Sequence, residues 1–327
     1  MRGKGHAMDL TPGRADERHL PSGRQVTLAH AGCSAAITEV GASLRRFECE
    51  GRDVLDGYTE DEVCTGARGQ SLIPWPNRIR QGRYSWGGRT EQLALTEPEK
   101  GGAIHGLTRW ANWRLEQLSA SAASFVHTQH ACQGWPWVLE CRIEYQLDDS
   151  GLSVRTTAVN RSADPCPYGT GAHPYLTAGT PSIDPARVQV PGGVYLPVDD
   201  QGIPTGRRRV DGTAYDLREM TVLGDRRIDV TYTELARDDD GRARVHLEGR
   251  DGTRAAALWA DEAYPYFEIF TGDTLPQEDR RRTGLGVEPM TCAPDAFNSG
   301  EGLIELGPGE SHTAVWGIEP RPSGGRR

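Results

Sequence analysis

The sequence predicts an all-β fold, either a β-sandwich or a β-barrel, on three observations. Short segments in which apolar and polar residues alternate recur along the whole chain, which is the pattern of half-buried strands. The 40 glycines and 21 prolines interrupt the chain throughout, and Asp-Gly or Ser-Gly pairs follow several segments at hairpin spacing. Only two short segments favour a helix, which argues against a TIM barrel and a doubly wound sheet.

The clearest alternating segments predict five strands, and breaker residues predict the turns between them. The strands are residues 25–30, 35–40, 142–147, 152–157 and 244–248. Turns are predicted at residues 149–151, 240–241 and 251–252, and helices of one or two turns at residues 216–220 and 276–280.

The chain length and composition predict a single domain between two short tails. The 327 residues contain no internal repeat and no segment with the composition of a linker. All-β domains of this size are common. Residues 21–320 are therefore expected to form one domain. Residues 1–20 and 321–327 are polar or glycine-rich and are expected to be disordered tails.

The charge argues against nucleic acid and membrane partners. The 37 basic and 46 acidic side chains give a net charge of -9, which repels phosphate backbones and anionic lipids. No apolar run of about 18 residues is present, so no transmembrane helix is expected. The N-terminal residues also lack the apolar segment of a signal peptide, and we therefore expect a cytoplasmic protein.

The cysteine pattern argues against a disulfide framework and against a zinc site. The seven cysteines are an odd number, widely spaced, and none lies in a Cys-x-x-Cys pair. We expect most of them to be reduced thiols. Dinucleotide, P-loop and Gly-x-Ser-x-Gly motifs are also missing, which argues against nucleotide-dependent and serine-hydrolase chemistry.

Four segments place a histidine, arginine or glutamate among glycines, prolines and aromatic residues. Irregular backbone of this kind on a rigid sheet is where functional sites are commonly found. The segments are residues 72–84 with Asn77 and Arg78, 101–113 with His105, 168–176 with His173, and 284–298 with Glu288. Each of these residues alone has an ordinary structural explanation, such as a buried histidine or half of an ion pair.

Taken in order, these motifs resemble those of the aldose 1-epimerases, also called galactose mutarotases, from about residue 25 to about residue 318. The matching motifs are Asn77-Arg78-Ile79 with Gly82-Arg83-Tyr84, His105-Gly106, His173-x-Tyr175, Leu196-Pro197 with Pro204-Thr205-Gly206, Asp229, and Glu288 with Pro294-Asp295-Ala296-Phe297-Asn298. The chain departs from the best-known members, which have His-Gly-Gly and His-x-Tyr-Phe-Asn, at Leu107 and Leu176. The resemblance therefore predicts the type of reaction but not which sugar is the substrate.

The resemblance implies a galactose mutarotase-like antiparallel β-sandwich that interconverts the α and β anomers of a free aldose. It implies Glu288 as the base and His173 as the acid. Unperturbed pKa values of about 4.3 for glutamate and about 6.5 for histidine suit this chemistry near neutral pH. The residues expected to bind the sugar are Asn77, Arg78, His105 and Asp229. The reaction needs no cofactor, and a small aldohexose or aldopentose is the expected partner of a monomer or homodimer.

Three alternative functions remain open at this point. The first is an epimerase of a phosphorylated hexose, for which Arg109 or Arg80 could bind the phosphate. The second is a glycoside hydrolase that uses Asp229 and Glu288 as its carboxylate pair. The third is a sugar-binding module without turnover.

Overall fold

The computed structural model describes residues 19–252 and 254–321, and nearly all of its regular structure is β. These residues form 27 strands and two short helices. The all-β prediction is therefore confirmed. The expected tails lie mostly outside the described residues, and the single-domain boundary stays a prediction.

The strands of the first half of the chain are β1 (Gln25–His30), β2 (Cys33–Thr38), β3 (Leu44–Cys49), β4 (Arg52–Asp53), β5 (Ser71–Leu72), β6 (Arg78–Arg80), β7 (Arg83–Trp86), β8 (Arg89–Gln92), β9 (Gly102–Ile104), β10 (Arg114–Leu118), β11 (Ala122–Gln129), β12 (Leu139–Asp148), β13 (Gly151–Asn160), β14 (Cys166–Tyr168) and β15 (Gly171–Ala172). The second half contributes β16 (Tyr175–Leu176), β17 (Arg187–Gln189), β18 (Gly192–Leu196), β19 (Arg208–Arg209), β20 (Thr221–Val222), β21 (Asp229–Leu235), β22 (Ala243–Glu248), β23 (Ala255–Ala260), β24 (Tyr266–Phe270), β25 (Leu285–Met290), β26 (Ile304–Leu306) and β27 (Ser311–Arg321). The helices are a 3₁₀ turn at Glu278–Arg280 and α1 (Ala296–Ser299).

Two large antiparallel sheets form the body of the sandwich. One has nine strands in the order β10-β11-β12-β13-β27-β23-β22-β17-β20. The other has the order β19-β18-β21-β24-β25-β15-β5, with β16 also paired to β25. A four-stranded sheet β1-β2-β3-β4 and three two-stranded ribbons complete the described fold.

The sheet that contains β21, β24 and β25 is buried on both faces. Because side chains alternate along a strand, Val230, Phe267 and Val287 lie in the common hydrophobic core. The residues between them point to the opposite face. That face carries carboxyl groups, and the functional site is built on it.

All five predicted strands are present, whereas only part of the helix prediction is correct. Segment 276–280 contains the 3₁₀ turn, but 216–220 is not helical. There, the carbonyls of Leu217 and Arg218 accept hydrogen bonds from the Val190 backbone N–H and the Gln189 side chain, which ties the segment to the neighbouring strand. The sequence also missed α1, which lies between two left-handed residues, Asp295 and Gly300.

Most of the cysteines are reduced thiols, as expected, but Cys33 and Cys49 form one disulfide that the sequence did not reveal. The two residues lie directly opposite each other on β2 and β3, a juxtaposition that their separation of 16 residues does not reveal. The other five cysteines are free thiols. Because disulfides are more common in oxidising compartments, the cytoplasmic location stays a prediction. In the described part of the chain, no helix has the length and apolarity needed to cross a membrane.

Candidate active site

A cleft of about 490 Å³ lies over the face of the β21, β24 and β25 sheet that carries the carboxyl groups, opposite the hydrophobic core. All six residues expected to act on the sugar line it. They are Asn77, Arg78, His105, His173, Asp229 and Glu288. Residues more than 200 positions apart in sequence therefore meet in one place, as expected for a site assembled from loops and strands of a β fold.

Strand register brings the carboxyl groups of the cleft together. Glu268 on β24 lies directly opposite Glu288 on β25, and Thr231 on β21 lies opposite Glu268. Asp229 is two residues before Thr231 and therefore shares its face. Three acidic side chains from three neighbouring strands thus line the same face of the sheet.

His173 and Glu288 are in direct contact at the base of the cleft. The Nε2 atom of His173 lies 3.1 Å from Oε1 of Glu288, and both side chains are buried. The second carboxylate oxygen of Glu288, Oε2, and Nδ1 of His173 have no hydrogen-bond partner among the described residues. A buried polar atom without a partner is costly, so Oε2 of Glu288 is ready to accept a hydrogen bond from a ligand.

Burial reverses the usual acid strengths of this pair. It lowers the pKa of His173 to about 3, with the positive charges of Arg68 and Arg109 acting in the same direction. Burial raises the pKa of Glu288 well above its ordinary value, and the charges of Glu268 and Asp229 add to the effect. Without a ligand, the proton shared by His173 and Glu288 therefore favours the carboxyl group.

A stack of side chains behind the cleft fixes the imidazole of His173. The ring of Tyr175 is stacked on the ring of His173, with 5.0 Å between centroids and an interplanar angle of 15°. The guanidinium carbon of Arg68 lies 4.6 Å from the centroid of the Tyr175 ring. The Tyr175 hydroxyl donates a hydrogen bond to the carbonyl of Gly66. The tyrosine of the His-x-Tyr motif thus supports the histidine.

His105 is held by an unusual local backbone. Both His105 and Asn77 have positive φ, 62° and 52°, a conformation that non-glycine residues adopt rarely and often at functional sites. The N–H of His105 donates to the Asn77 carbonyl, and the N–H of Asn77 donates to Nδ1 of His105. At Gly106, φ is +72°, and a Cβ atom would lie 2.0 Å from the Ile73 carbonyl oxygen, so the His-Gly motif requires glycine here.

The hydrogen bond to Nδ1 determines what His105 presents to the cleft. A neutral imidazole whose Nδ1 accepts a hydrogen bond carries its proton on Nε2. Burial lowers the pKa of His105 well below its ordinary value, and the neighbouring His173, Arg109 and Arg78 add to this effect. His105 is therefore a neutral donor.

Arg78 is paired within the protein. Its Nε and NH2 donate to the two carboxylate oxygens of Glu97 at 2.6 and 2.8 Å. Burial alone would lower the pKa of Arg78, but the bonds to Glu97 raise it above the ordinary value. The Arg78 strand is also braced by the Pro-Asp-Ala-Phe-Asn motif, because the Asp295 N–H donates to the Arg78 carbonyl and the Arg80 N–H donates to Asp295 Oδ1.

Asp229 lies in the cleft next to Glu268. Solvent reaches Asp229, yet desolvation by the surrounding walls raises its pKa, while Arg78 and Lys100 oppose the rise. Glu268 is buried and accepts a hydrogen bond from the Thr231 hydroxyl. Burial and the charge of Asp229 raise the pKa of Glu268 well above its ordinary value.

Sequence reasoning missed three acidic residues of the cleft, Glu97, Glu99 and Glu268. Glu97 lies in an ordinary polar loop, and nothing in its local sequence distinguishes it. Glu268 had a signal, because it is the one charged residue in the apolar segment Tyr266-Phe267-Glu268-Ile269-Phe270. A carboxyl group at a buried strand position is rare without a partner or a function.

The cleft also contains a set of atoms that a metal ion could use. Ring nitrogens of His105 and His173 and a carboxylate oxygen of Glu288 lie within 4.8 Å of one another. Two imidazoles and one carboxylate with an open side are a donor set that zinc accepts. In the structure, His173 Nε2 already contacts Glu288 Oε1, and His105 Nδ1 already accepts a hydrogen bond from the Asn77 N–H.

Comparisons with known proteins agree with this geometry. Residues 24–319 match the family described as aldose 1-epimerase. The chain is 32% identical to the uncharacterized protein YihR of Escherichia coli over 298 residues, which cover 91% of this chain and 93% of that protein. It is 27% identical to the galactose mutarotase of Bos taurus, with coverage of 93% and 94%.

A solved structure of a GalM/aldose epimerase homologue from Caenorhabditis elegans has the same fold. The TM-score is 0.80 at 17% identity, over 91% of this chain and 99% of that chain. The galactose mutarotase-like sandwich is therefore confirmed. Because the family match extends over nearly all of the described residues, the chain belongs to the aldose 1-epimerase family.

Proposed function

We propose that this protein is an aldose 1-epimerase that interconverts the α and β anomers of a free aldose by opening and closing its ring. The observation that carries the proposal is the contact of 3.1 Å between His173 Nε2 and Glu288 Oε1 at the buried base of the cleft. Ring opening needs a base at the C1 hydroxyl and an acid at the ring oxygen. Both oxygens are bonded to the same carbon, so the two catalytic groups must be neighbours.

In the proposed reaction, Glu288 removes the proton from the C1 hydroxyl, and C1 becomes the aldehyde carbon. The bond between C1 and the ring oxygen breaks, and its electron pair goes to the ring oxygen, which takes a proton from His173. Rotation about the C1–C2 bond then exposes the other face of the aldehyde. Ring closure returns the two protons, so the pair of residues ends as it began.

This sequence of steps requires the shared proton to lie on His173 when the sugar is bound. In the free protein, burial favours Glu288. The C1 hydroxyl can donate to the unpartnered Oε2 of Glu288, and hydrogen bonds to a carboxylate favour its charged form. Sugar binding thus lowers the pKa of Glu288 and transfers the proton to His173. His105 Nε2 and Asp229 are proposed to hold the sugar hydroxyls during rotation.

The test is polarimetry on freshly dissolved α-anomers of galactose, glucose, xylose and arabinose. Anomers interconvert spontaneously, so each rate is taken as the excess over a protein-free control. An excess rate on at least one aldose supports the proposal. Binding of a sugar without any excess rate would show a sugar-binding module, and release of an aglycone from nitrophenyl glycosides would show a hydrolase.

We expect kcat/KM to keep its plateau value down to about pH 4.3 on the acid side. The pair works with one shared proton. On the acid side, activity falls when His173 takes up a second proton, and burial lowers the pKa of His173 to about 3. On the alkaline side, activity falls when Glu288 loses the shared proton, and burial raises the pKa of Glu288. The acid limit therefore moves from about pH 4.3 down towards the pKa of His173, about 3.

A pair with ordinary pKa values would give a bell-shaped profile that falls to about half of its height at about pH 4.3 and 6.5. Initial rates at each pH, each with its own protein-free control, distinguish the two profiles. Circular dichroism at each pH shows that the protein is still folded. A half-height near pH 4.3 on the acid side would contradict the assignment of a depressed pKa to His173.

Asp229→Ala should weaken sugar binding as well as turnover. Truncation leaves sugar hydroxyls without their charged partner, which costs about 1.5–3 kcal/mol and corresponds to a loss of roughly 10- to 150-fold in kcat/KM. Asp229→Asn keeps a hydrogen-bonding oxygen at the same place and should recover part of the loss. The measurement is the separate determination of KM and kcat. An unchanged KM in Asp229→Ala would remove Asp229 from the proposed binding residues.

A further inference from the structure

Arg109 is a cleft residue that the proposed reaction does not use. It lines the cleft and is half-buried. Its backbone is held in place, because the Gln70 side chain donates to the Arg109 carbonyl at 3.0 Å. At Gly41, where φ is +73°, a Cβ atom would lie 2.5 Å from the Arg109 carbonyl oxygen. The glycine at position 41 and the hydrogen bond from Gln70 therefore fix the position of the Arg109 backbone.

The guanidinium of Arg109 has no counterion among the described residues, unlike that of Arg78. Arg78 is paired with Glu97 at 2.6 Å. The ammonium of Lys100 donates to the Asp200 carbonyl. No ion pair or side-chain hydrogen bond of Arg109 occurs in the described structure, where its guanidinium carbon lies 5.4 Å from the centroid of the Trp110 ring.

A half-buried guanidinium without a counterion is an unfavourable arrangement in the free protein. Burial removes water from the charge and lowers the pKa of Arg109. Glu97 acts in the opposite direction, but Arg78 already binds both oxygens of that carboxylate. An anion that enters the cleft would provide the missing partner, and a guanidinium binds phosphate, sulfate and carboxylate through two parallel hydrogen bonds.

Arg109 is also close to the reacting groups. Its charge contributes to the lowered pKa of both His105 and His173. Because Arg109, His173 and Glu288 all line the same cleft, one ligand in the cleft can contact both Arg109 and the His173–Glu288 pair. Arg80, the second arginine that the sequence offered for this role, is engaged with Asp199 and Gln201 and does not line the cleft.

We propose that the aldose this site prefers carries an anionic group on a carbon remote from C1, and that Arg109 binds this group. The inference rests on the proposed function, because it names the substrate class of the same site. The chemistry that recognises the ligand is a phosphate, sulfate or carboxylate. Discrimination arises because a neutral sugar leaves the Arg109 charge without a partner.

The test compares glucose with glucose 6-phosphate, glucose 6-sulfate and glucuronate at low ionic strength, each with its own protein-free control. We expect kcat/KM for at least one anionic sugar to exceed that for glucose by about 10-fold or more. Preference for phosphate or sulfate would identify a tetrahedral anion, and preference for glucuronate a carboxylate. Either result supports the proposal.

Two variants determine whether Arg109 is responsible. Arg109→Gln should lower the ratio of kcat/KM between the anionic sugar and glucose by about 10-fold or more. Arg80→Gln removes a nearby positive charge outside the cleft and should leave that ratio within about twofold. Thermal melting of both variants serves as the folding control.

The possible failures can be distinguished. If the wild-type protein accelerates glucose at least as well as all three anionic sugars, the inference about the anion is wrong while the proposed function stands. If the ratio is unchanged in Arg109→Gln, Arg109 is not the anion-binding residue. If no sugar of either class shows an excess rate, the proposed function fails, and this inference fails with it.

Discussion

Glu288→Gln is expected to lower kcat by about 10²- to 10⁴-fold, the usual contribution of a general base. Glutamine keeps the size of the side chain and one carbonyl oxygen, but it cannot take the proton from the C1 hydroxyl. Burial raises the pKa of Glu288, which favours the uncharged form of this side chain in the free protein. The neutral amide should therefore be tolerated at this buried position, and the protein should fold.

Sugar binding should survive this substitution, because His105 and Asp229 are unchanged. The measurement pairs the excess mutarotation rate with the dissociation constant from tryptophan fluorescence. Glu140→Gln is the matched control, since Glu140 is a solvent-exposed carboxylate on β12, paired with Arg161. It should keep the excess rate within about twofold. A near-normal rate in Glu288→Gln would show that Glu288 only structures the cleft.

Much of the fold could be predicted from the sequence because strands of a sandwich carry a local signal. In β12 and β13 the exposed and buried positions alternate, and the segments 142–147 and 152–157 fall within them. The motif residues were predictable for a similar reason. His105 and Gly106 need unusual backbone, and only a glycine fits against the Ile73 carbonyl. Such requirements leave recognisable short motifs.

The features that the sequence did not reveal depend on strand register. The disulfide between Cys33 and Cys49 requires β2 and β3 to pair with these residues opposite each other. The neighbouring carboxyl groups of Glu268 and Glu288 likewise follow from the pairing of β24 with β25. No local pattern specifies which residues of two strands face each other, so these contacts were visible only in the structure.

Register also explains why the acid–base pair differs from what the residue types alone suggested. Ordinary pKa values would make Glu288 a carboxylate and leave His173 partly protonated near neutral pH. The structure buries both groups and places Glu268 and Asp229 nearby, which raises one pKa and lowers the other. The roles of base and acid therefore require the sugar to move the shared proton, and the two residues should behave as one unit.

His173→Asn is accordingly expected to lower kcat by about 10²- to 10⁴-fold, and the double variant with Glu288→Gln should be no slower than the slower single variant. Independent contributions would instead multiply. His312→Asn is the matched control, because His312 is a half-buried histidine on β27 outside the cleft. Asparagine in place of His173 also removes the stacking contact with Tyr175, so melting temperatures of all variants must accompany the rates. A double variant that loses the product of the two single effects would show that His173 and Glu288 act in separate steps.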